Sequence, residues 1–321
     1  MRVCAIVVTY NRKECLKKQI YNILEKQEFT PDAYYIIDNN SVDGTNELID
    51  SFCEYSTNCK IIYVQLKENI GGAGGFYTGL KKAYEDGYDW YILMDDDGMP
   101  KNEKCFSEII NKIQDNGWDS ENKYLINSLV VSDDTYLSFG LGHHETIDSC
   151  LKISKDGLIK DLINPFNGTF VSNGLVNSIG FPNKDFFIKG DEVDYCRRAK
   201  ADKACIYTVI DSLYFHPKLT CYMKKKVLGH EMYVFTEKPW KEYYNIRNQV
   251  YSLKNQRKYK ECLVQVVKRV YCCLVTKCKK YITLKMIFKG FFDGIGGKLG
   301  ASVKPDWFEN MLGCYLCYYF F

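Results

Sequence analysis

The 321-residue sequence lacks several features that would place it in familiar classes of protein. It contains no uninterrupted apolar stretch of about 18 residues, so no membrane-spanning helix is expected. Its first residues run directly into a strand-like segment, without the apolar region and small-residue cleavage site of a signal peptide. We therefore expect a cytoplasmic protein. The composition, 46% hydrophobic and 26% charged, is typical of a globular chain with one large or two modest domains.

Histidine is scarce, and the cysteines show almost no spacing typical of a disulfide framework or a zinc site. The 15 cysteines are scattered and odd in number, which indicates free thiols in a reducing compartment. Cys314 and Cys317 form one CxxC, but a zinc knuckle needs a second pair, so a zinc role is not favoured. The glycine-rich segment 69–75 is not followed by lysine, which excludes a P-loop.

Charge is unevenly distributed along the chain. Residues 222–321 carry 19 Lys and Arg against 7 Asp and Glu, whereas residues 1–221 carry 24 against 33. One interpretation is that the basic, partly apolar C-terminal part lies against anionic lipids, as a peripheral contact at the inner face of the cell membrane. The other is that its apolar face packs on the rest of the chain or on another copy, as in a homo-oligomer. Nucleic acid is not expected as a partner.

Strand and helix patterns alternate from the first residues. We predict strands at 3–9, 34–38, 60–66 and 89–94, with helices at 12–28, 45–56 and 75–86 between them. This order predicts an α/β fold, a mostly parallel sheet flanked by helices with right-handed crossovers. Further on we predict a helix ending near 116, short strands and loops over 124–171, a helix at 183–201 and a strand at 205–214.

The character of the chain changes near Tyr222. We predict basic helices at 233–256 and 259–292, followed by a glycine-rich break at 290–300. The expected domains are therefore residues 1–222 and a mainly helical C-terminal region, 223–321.

Each of the first four predicted strands is followed by a polar cluster. Ligands of parallel sheets bind at the carboxyl ends of the strands, so these clusters are expected to form one site. The clusters are Thr9-Tyr10-Asn11-Arg12, Asp38-Asn39-Asn40-Ser41, Asn69 to Gly75, and Asp95-Asp96-Asp97.

The aspartate run is the most informative of these clusters. Three carboxylates at the end of a buried strand repel one another unless a cation lies beside them. A divalent metal shared with a substrate diphosphate meets this need. Asp95 and Asp97 would point the same way, leaving Asp96 to reach a ribose or sugar. The alternative is a solvated acidic turn.

The other loops have weaker individual signals. The glycines after Asn69 allow close backbone approach to a sugar or diphosphate, or they form only a flexible turn. Asp38 can accept a hydrogen bond from uracil or ribose, and Arg12 can stack on a base or pair with a phosphate. For both, an ordinary loop salt bridge is the alternative.

Two further candidates lie later in the chain. Asp191 and Glu192, before a predicted helix, suit a general base, although acidic helix capping explains them equally well. His216 follows a predicted strand and either completes a metal shell or is structural.

Taken together, these residues resemble the family 2 inverting glycosyltransferases of the GT-A fold, in particular the bacterial galactofuranosyltransferase and rhamnosyltransferase group. The segments that carry the resemblance are Val8 to Arg12, Ile37 to Ser41, Asn69 to Gly75, Asp95 to Asp97, Phe187 to Glu192, His216, and Tyr243-Tyr244-Asn245-Ile246-Arg247-Asn248. They cover most of residues 1–250 in the family's order.

The resemblance implies a role for each site residue. Asp95, Asp97 and His216 would hold Mn²⁺ or Mg²⁺. Glu192 would be the base, with Asp191 as its rival because many relatives have Asp where this chain has Glu192. The nucleotide-sugar would contact Thr9, Asn11, Arg12, Asp38, Asn69, Gly71, Gly72, Gly74 and Asp96.

The glycine-rich stretch favours UDP-galactofuranose as donor, with dTDP-rhamnose second. The acceptor would be a hydroxyl of a glycan, often lipid-linked, in cell-surface polysaccharide synthesis. Two other classes compete: a sugar-1-phosphate nucleotidyltransferase, which expects glycine in the loop at 7–13 where this chain has none, and a non-catalytic sugar-nucleotide-binding partner.

Overall fold

The computed structural model describes residues 1–53, 58–218, 222–227, 230–235, 238–275 and 280–304. Two compact units divide the chain. The first combines Met1–Asn183 with Tyr195–Leu219, and the second combines Lys184–Asp194 with Thr220–Phe321. The segment Lys184–Asp194, well before the expected boundary at Tyr222, therefore belongs with the C-terminal unit.

The first unit is built on one mixed sheet. Its strands in chain order are β1 Val3–Thr9, β2 Ala33–Asp38, β3 Lys60–Gln65, β4 Trp90–Asp95, β5 Met99–Pro100, β6 Tyr124–Val131, β7 Tyr136–Leu141, β8 His144–Thr146, β9 Leu158–Lys160, β10 Asn167–Ser172 and β11 Cys205–Phe215. The main path runs β3-β2-β1-β4-β10-β6-β11-β5. The first four strands are parallel, as predicted, and β10 is antiparallel to both of its neighbours.

Helices connect and cover these strands. In this unit they are α1 Lys13–Glu25, α2 Thr45–Cys53, α3 Gly71–Glu85, α4 Cys105–Asp115, α5 Ile147–Leu151 and α6 Asn173–Ile179, followed by α7 Asp191–Ala201, which spans the division between the units. The second unit contains the hairpin β12 Tyr222–Val227 and β13 His230–Phe235, then the helices α8 Pro239–Asn255, α9 Tyr259–Val275 and α10 Lys280–Gly296.

The sheet buries side chains on both of its faces, because successive residues of a strand point in opposite directions. On β1, Val3, Ala5 and Val7 join a core with α1 and α4. Cys4, Ile6 and Val8 join a second core with α3 and α6. This two-sided burial explains why the parallel strands read as continuous apolar runs.

Helix α3 begins four residues earlier than predicted, so the glycine-rich segment is mostly helix and not a loop. Glycines on this helix let it pack tightly on the sheet. A Cβ at Gly75 would lie 2.4 Å from Val8 Cγ1, and one at Gly79 would lie 2.6 Å from Ile6 Cγ2. The glycine pattern therefore reports helix-to-sheet packing as well as any ligand contact.

Other predicted boundaries were also wrong. The helix predicted at 183–201 is a 3-10 turn, Lys184–Phe186, followed by α7. Residues 233–235 belong to β13, and the single helix predicted at 259–292 is the separate helices α9 and α10. The predicted break at 290–300 is wrong because α10 continues to Gly296.

Glycines of α10 serve packing inside the second unit. A Cβ at Gly290 would lie 2.3 Å from Ile246 Cγ2, and one at Gly294 would lie 2.6 Å from the Arg247 carbonyl oxygen. Small residues at these two positions therefore let α10 lie close to α8. One core cluster of this unit is formed by Ile246, Val250, Leu253, Cys262, Cys273 and Ile287.

Among the described residues, no helix is long and apolar enough to cross a membrane. Free thiols, as expected, are found at Cys4, Cys15, Cys105, Cys150, Cys196 and Cys205, and those of Cys4, Cys105 and Cys150 are buried. Cys314 and Cys317, and the apolar segment 315–321, lie outside the described residues.

Candidate active site

The register of the parallel strands brings the predicted polar clusters together. On β1, Thr9 pairs with Asp38 of β2, and Val8 pairs with Asp95 of β4. The strands therefore end side by side at one edge of the sheet. The loops that leave them start from neighbouring positions.

Asp96 and Asp97 converge on one arginine. Arg12 Nη1 donates to Asp96 Oδ1 at 3.0 Å and to Asp97 Oδ2 at 2.6 Å, and Thr9 Oγ1 donates to Asp96 Oδ2 at 2.8 Å. We call Thr9, Arg12, Asp96 and Asp97 the aspartate corner. Asp96 and Asp97 therefore share one cation, Arg12. The role predicted for Asp96, contact with a ribose or sugar while Asp95 and Asp97 point the same way, stays a prediction.

The aspartate corner gives its two carboxylates different proton affinities. Burial raises the pKa of Asp96 to about 6, against the opposing effect of Arg12 and Thr9. Burial also disfavours the charged form of Asp97, but hydrogen bonds and positive charge from His216 and Arg12 hold its pKa well below the usual range. Arg12 remains a cation because the two carboxylates raise its pKa further, against the effect of burial.

His216 reaches the aspartate corner through a short strand pair. After the aspartates the chain forms β5, which pairs with Tyr214 and Phe215 at the end of β11. This pairing places His216 Nε2 3.3 Å from Asp97 Oδ1. Burial lowers the pKa of His216, whereas its hydrogen bond to Asp97 and the charges of Asp97 and Asp95 raise it above its ordinary value.

Gln19, which was not among the predicted site residues, binds the backbone of the aspartate run. Gln19 of α1 is buried, and its Nε2 donates to the Asp95 carbonyl at 2.7 Å and to the Gly98 carbonyl at 2.5 Å. Its Oε1 accepts from the Tyr34 hydroxyl at 2.6 Å. A signal was present, because Gln19 is a polar residue on the otherwise apolar face of α1.

The donor set around His216 fits a divalent cation in chemical type. Carboxylate oxygens and an imidazole nitrogen are ligands that Mn²⁺ and Mg²⁺ accept. Asp97 and His216 already face each other, and Asp95 is near enough for its charge to act on His216. Within the described ranges, no group of three or more His, Cys, Asp or Glu side chains is placed to hold a metal ion, so the structure brings Asp97 and His216 together but does not add Asp95 to them as a third ligand. A metal here would take further ligands from a substrate or water.

Asp38 is wholly buried and organises the neighbouring loops. Its Oδ1 accepts from the Ser41 amide and hydroxyl, and its Oδ2 accepts from the Tyr63 hydroxyl at 2.7 Å. Asn11, at φ 52°, links the loop after β1 to the loop after β2 because its amide donates to Ser41 Oγ at 2.9 Å. These contacts show a structural role, and the nucleotide contact of Asp38 stays a prediction.

Asn39 ties the loop after β2 to the start of α3. Its Oδ1 accepts from the Ile70 amide at 3.2 Å, and its Nδ2 donates to the Gly71 carbonyl at 3.3 Å. Asn69 Oδ1 accepts from the amide of Gly71, which has φ 77°. Asn39 was not among the predicted site residues, although it lies in a cluster that the sequence singled out.

The predicted donor glycines have different surroundings. A Cβ at Gly74 would lie 2.7 Å from Ile70, so Gly74 is a packing position. A Cβ at Gly72 would have no neighbour within 4 Å. Two of the predicted donor glycines thus lie in the first turn of α3 and differ from Gly74. Gly71 has a positive φ, and Gly72 faces open space.

Asp191 and Glu192 belong to the second unit, at the first turn of α7. Asp191 is buried and Glu192 is half-buried. Glu192 Oε2 accepts from the Gly190 amide at 3.0 Å, so the capping contact that the sequence left open is present. A capping carboxylate still carries free lone pairs, so this contact is compatible with a role as base.

The first unit combines a mixed sheet with an aspartate run at the end of its fourth strand and a histidine directly after β11. This architecture is the GT-A fold.

Comparisons with known proteins identify a family for part of the chain. Residues 4–121 match the model of glycosyl transferase family 2, so this part of the chain is a family 2 glycosyltransferase domain. Galactofuranosyltransferase GlfT1 of Mycolicibacterium smegmatis is 29% identical over 259 residues, which cover 78% of this chain and 82% of that protein. The resemblance drawn from the motifs is thus confirmed at the level of family and enzyme class.

Solved structures agree on the fold. The structure of S. aureus TarS 1-349 in complex with UDP-GlcNAc is similar with a TM-score of 0.57 at 16% identity, covering 92% of this chain and 82% of that one. The mannosyltransferase PcManGT from Pyrobaculum calidifontis, in complex with GDP-Man and Mn²⁺, is similar with a TM-score of 0.54 at 14% identity, covering 99% and 81%. At these identities the likeness concerns the fold alone.

Proposed function

We propose that this glycosyltransferase transfers galactofuranose from UDP-galactofuranose to a hydroxyl of a glycan acceptor, with inversion at the anomeric carbon, in cell-surface polysaccharide synthesis. The observation that carries the proposal is the aspartate corner, in which Thr9, Arg12 and the two aspartates meet at the carboxyl edge of the parallel strands. The similarity to a protein named galactofuranosyltransferase supports the choice of donor.

The residues of the corner suit a sugar nucleotide. Arg12 is half-exposed and always charged, so it can pair with a phosphate or stack on the base while it holds the carboxylates. Asp96, fixed by Thr9 and Arg12, is available to a ribose or sugar hydroxyl. Gly71 and Gly72 would let the donor approach the first turn of α3, whose amides favour an anion.

Asp95, Asp97 and His216 would hold a divalent cation, which would supply positive charge for the departing diphosphate. The half-buried carboxylate of Glu192 would take the proton of the acceptor hydroxyl as it attacks the anomeric carbon. Its contact with the Gly190 amide keeps that carboxylate oriented. A base of this kind typically contributes about 10²- to 10⁴-fold to the rate.

The decisive experiment measures slow donor hydrolysis and UDP affinity by the purified chain across a panel of sugar nucleotides. We expect UDP-galactofuranose to be hydrolysed fastest, with dTDP-rhamnose far behind. Preference for dTDP-rhamnose would replace the donor and leave the family assignment intact. Chelator treatment of the same protein should weaken UDP binding, and unchanged affinity would remove the metal from the proposal.

Asp97→Ala tests the aspartate corner directly. We expect it to abolish metal-dependent UDP binding, because it removes the carboxylate that faces both His216 and Arg12. Isothermal titration with UDP, with and without Mn²⁺, measures this loss. Asp133→Ala, on an exposed turn, is the matched control and should bind as the parent does.

We also propose that the second unit makes a peripheral contact with a membrane. Along α10, Tyr281, Lys285, Phe288 and Phe292 form one exposed helical stripe, with Tyr281 79% and Phe292 66% exposed. Lysine beside aromatic side chains suits an anionic lipid surface. Co-sedimentation with anionic vesicles should fall when Phe288 and Phe292 are changed to Ser. Equal sedimentation with neutral vesicles would argue against this contact.

A further inference from the structure

The chain before the proposed base has an unusual backbone. Phe187 has φ 66°, Lys189 has φ 64° and Gly190 has φ 86°, so three of four consecutive residues lie in the left-handed region. Side chains other than glycine rarely adopt this conformation. We call residues 187–190 the left-handed loop. Such a loop persists only where its surroundings hold it in place.

Asn248 of α8 holds the left-handed loop. It is fully buried, and its Nδ2 lies 3.0 Å from the Phe186 carbonyl oxygen, 3.0 Å from that of Ile188 and 2.7 Å from that of Lys189. The two N–H bonds of one amide group therefore serve three backbone carbonyls around the loop, one of the hydrogens being shared between two of them. The loop also passes close to this side chain, since a Cβ at Gly190 would lie 3.4 Å from Asn248 Cβ.

Arg247 orients the asparagine and anchors the loop entrance. Its Nε donates to Asn248 Oδ1 at 2.8 Å, which fixes the amide with its Nδ2 toward the loop. Its Nη2 donates to the Phe186 carbonyl at 2.8 Å, and its Nη1 donates to the Gly300 carbonyl at 2.6 Å. Arg247 is wholly buried and lies over the rings of Tyr243 and Tyr244.

The loop in turn holds the acidic pair. The Gly190 amide donates to Glu192 Oε2. The Gly190 carbonyl accepts from the Asp194 amide at 2.8 Å, and this hydrogen bond forms the first turn of α7. The orientation of the Gly190 peptide thus depends on the preceding carbonyls that Asn248 binds. A continuous set of hydrogen bonds leads from Asn248 to the carboxylate of Glu192.

We propose that Asn248, oriented by Arg247, is a positioning residue for transfer: it holds the left-handed loop so that Glu192 presents its carboxylate to the acceptor hydroxyl. This inference rests on the proposed role of Glu192 as base. It assigns a specific duty to the Arg247-Asn248 pair of α8, whose side chains are too deep in the second unit to serve as a surface contact.

The test compares Asn248→Ala with the parent enzyme. We expect kcat for transfer to fall on the order of 10- to 100-fold, because a misplaced base loses most of its effect. UDP affinity and donor KM should change less than about twofold, because the proposed donor residues lie in the first unit. Gln249→Ala is the matched control, since Gln249 is half-buried and its amide donates to Asn245 of the same helix.

A double-mutant cycle separates positioning from general structural damage. Adding Asn248→Ala to Glu192→Gln should cost little further activity if Asn248 acts through Glu192. A full additional loss in the double variant, or an unchanged kcat in Asn248→Ala, would overturn the inference. An equal loss of UDP affinity and turnover would do the same.

Two provisions keep the test conclusive. If Asn248→Ala does not fold, Asn248→Asp keeps the contact with Arg247 while removing the donor to the loop. If Glu192→Gln retains full transfer, the proposed base is wrong, and the cycle is repeated with Asp191→Asn. Coupling between Asn248 and Asp191 would then keep the positioning role, and additive effects would end it.

Discussion

The two acidic segments of this enzyme are held in place in different ways. The aspartate run of the first unit follows a buried parallel strand, and Thr9, Arg12 and Gln19 hold it from the neighbouring strand and helix. The acidic pair of the second unit follows the left-handed loop. The side chain of Asn248, on a helix distant in sequence, donates to backbone carbonyls of that loop.

This difference explains which of the two acidic segments can be understood from the sequence. Strand register places the aspartate run, so its residues appear in the sequence as one of the short clusters that follow the strands. The position of the acidic pair depends on the backbone conformation of a loop, and the residues that hold this loop lie about 60 positions later in the chain. We expect changes to the first support to affect folding and donor binding, and changes to the second to affect turnover.

Glu192→Gln should give the largest effect and the sharpest contrast. We expect kcat to fall by about 10²- to 10⁴-fold, because a neutral amide cannot take the acceptor proton. UDP affinity should remain at the parent value. Steady-state kinetics and UDP titration measure the two quantities. The paired variant Asp191→Asn should be the more active of the two, and the reverse order would transfer the role of base to Asp191.

Gln19→Leu tests the support below the aspartate run. It leaves the carbonyls of Asp95 and Gly98 and the hydroxyl of Tyr34 without their amide partner in a buried place. We expect the free energy of unfolding to fall by about 3 kcal/mol, since an unsatisfied buried group costs about 1–3 kcal/mol. UDP binding should weaken with it. Urea denaturation measures the change, and Gln65→Leu at an exposed strand end should have little effect. A Gln19→Leu protein of parent stability would contradict this account.

Gly75→Ala and Gly72→Ala separate packing glycines from ligand glycines on α3. The new methyl at Gly75 meets Val8 in the core, so we expect a loss of about 1–3 kcal/mol in the free energy of unfolding. The methyl at Gly72 meets open space and should leave stability unchanged or slightly higher. Gly72→Ala should instead weaken donor binding. Thermal unfolding and UDP titration measure both, and equal destabilisation by the two changes would be evidence against this division.

The smallest expected effect is a pH dependence within the second unit. Burial would raise the pKa of Asp293, but its hydrogen bonds from Lys289 and Tyr243 lower it below its ordinary value. Because the folded-state pKa is the lower one, the contact stabilises above about pH 4 and is lost as the pH falls. Parent and Asp293→Asn should therefore differ by less than about 1 kcal/mol at pH 7, and the difference should shrink as the pH falls below about 4. Urea midpoints across this range check it, and a difference that grows toward low pH would have the wrong sign.

The sequence predicted the alternation of strands and helices and the gathering of polar loops at one edge, because buried parallel strands carry a continuous apolar pattern. It failed where one signal has two causes. The glycines of segments 69–75 and 290–300 predict a loop and a break, whereas Gly74, Gly75, Gly290 and Gly294 are sites of close helix packing. It also missed Gln19 and Asn39, whose importance depends on which backbone groups lie opposite them.

By itself, the sequence determined the order of the elements, the edge at which the strands end and the chemistry gathered there, because these follow from local periodicity and strand direction. Tertiary structure alone decided that Arg12 bridges Asp96 and Asp97, that β5 brings His216 to Asp97, and that α8 holds the left-handed loop. Each of these depends on a hydrogen bond or ion pair between residues far apart in the chain, and such pairings arise only when packed elements bring particular atoms within about 3 Å.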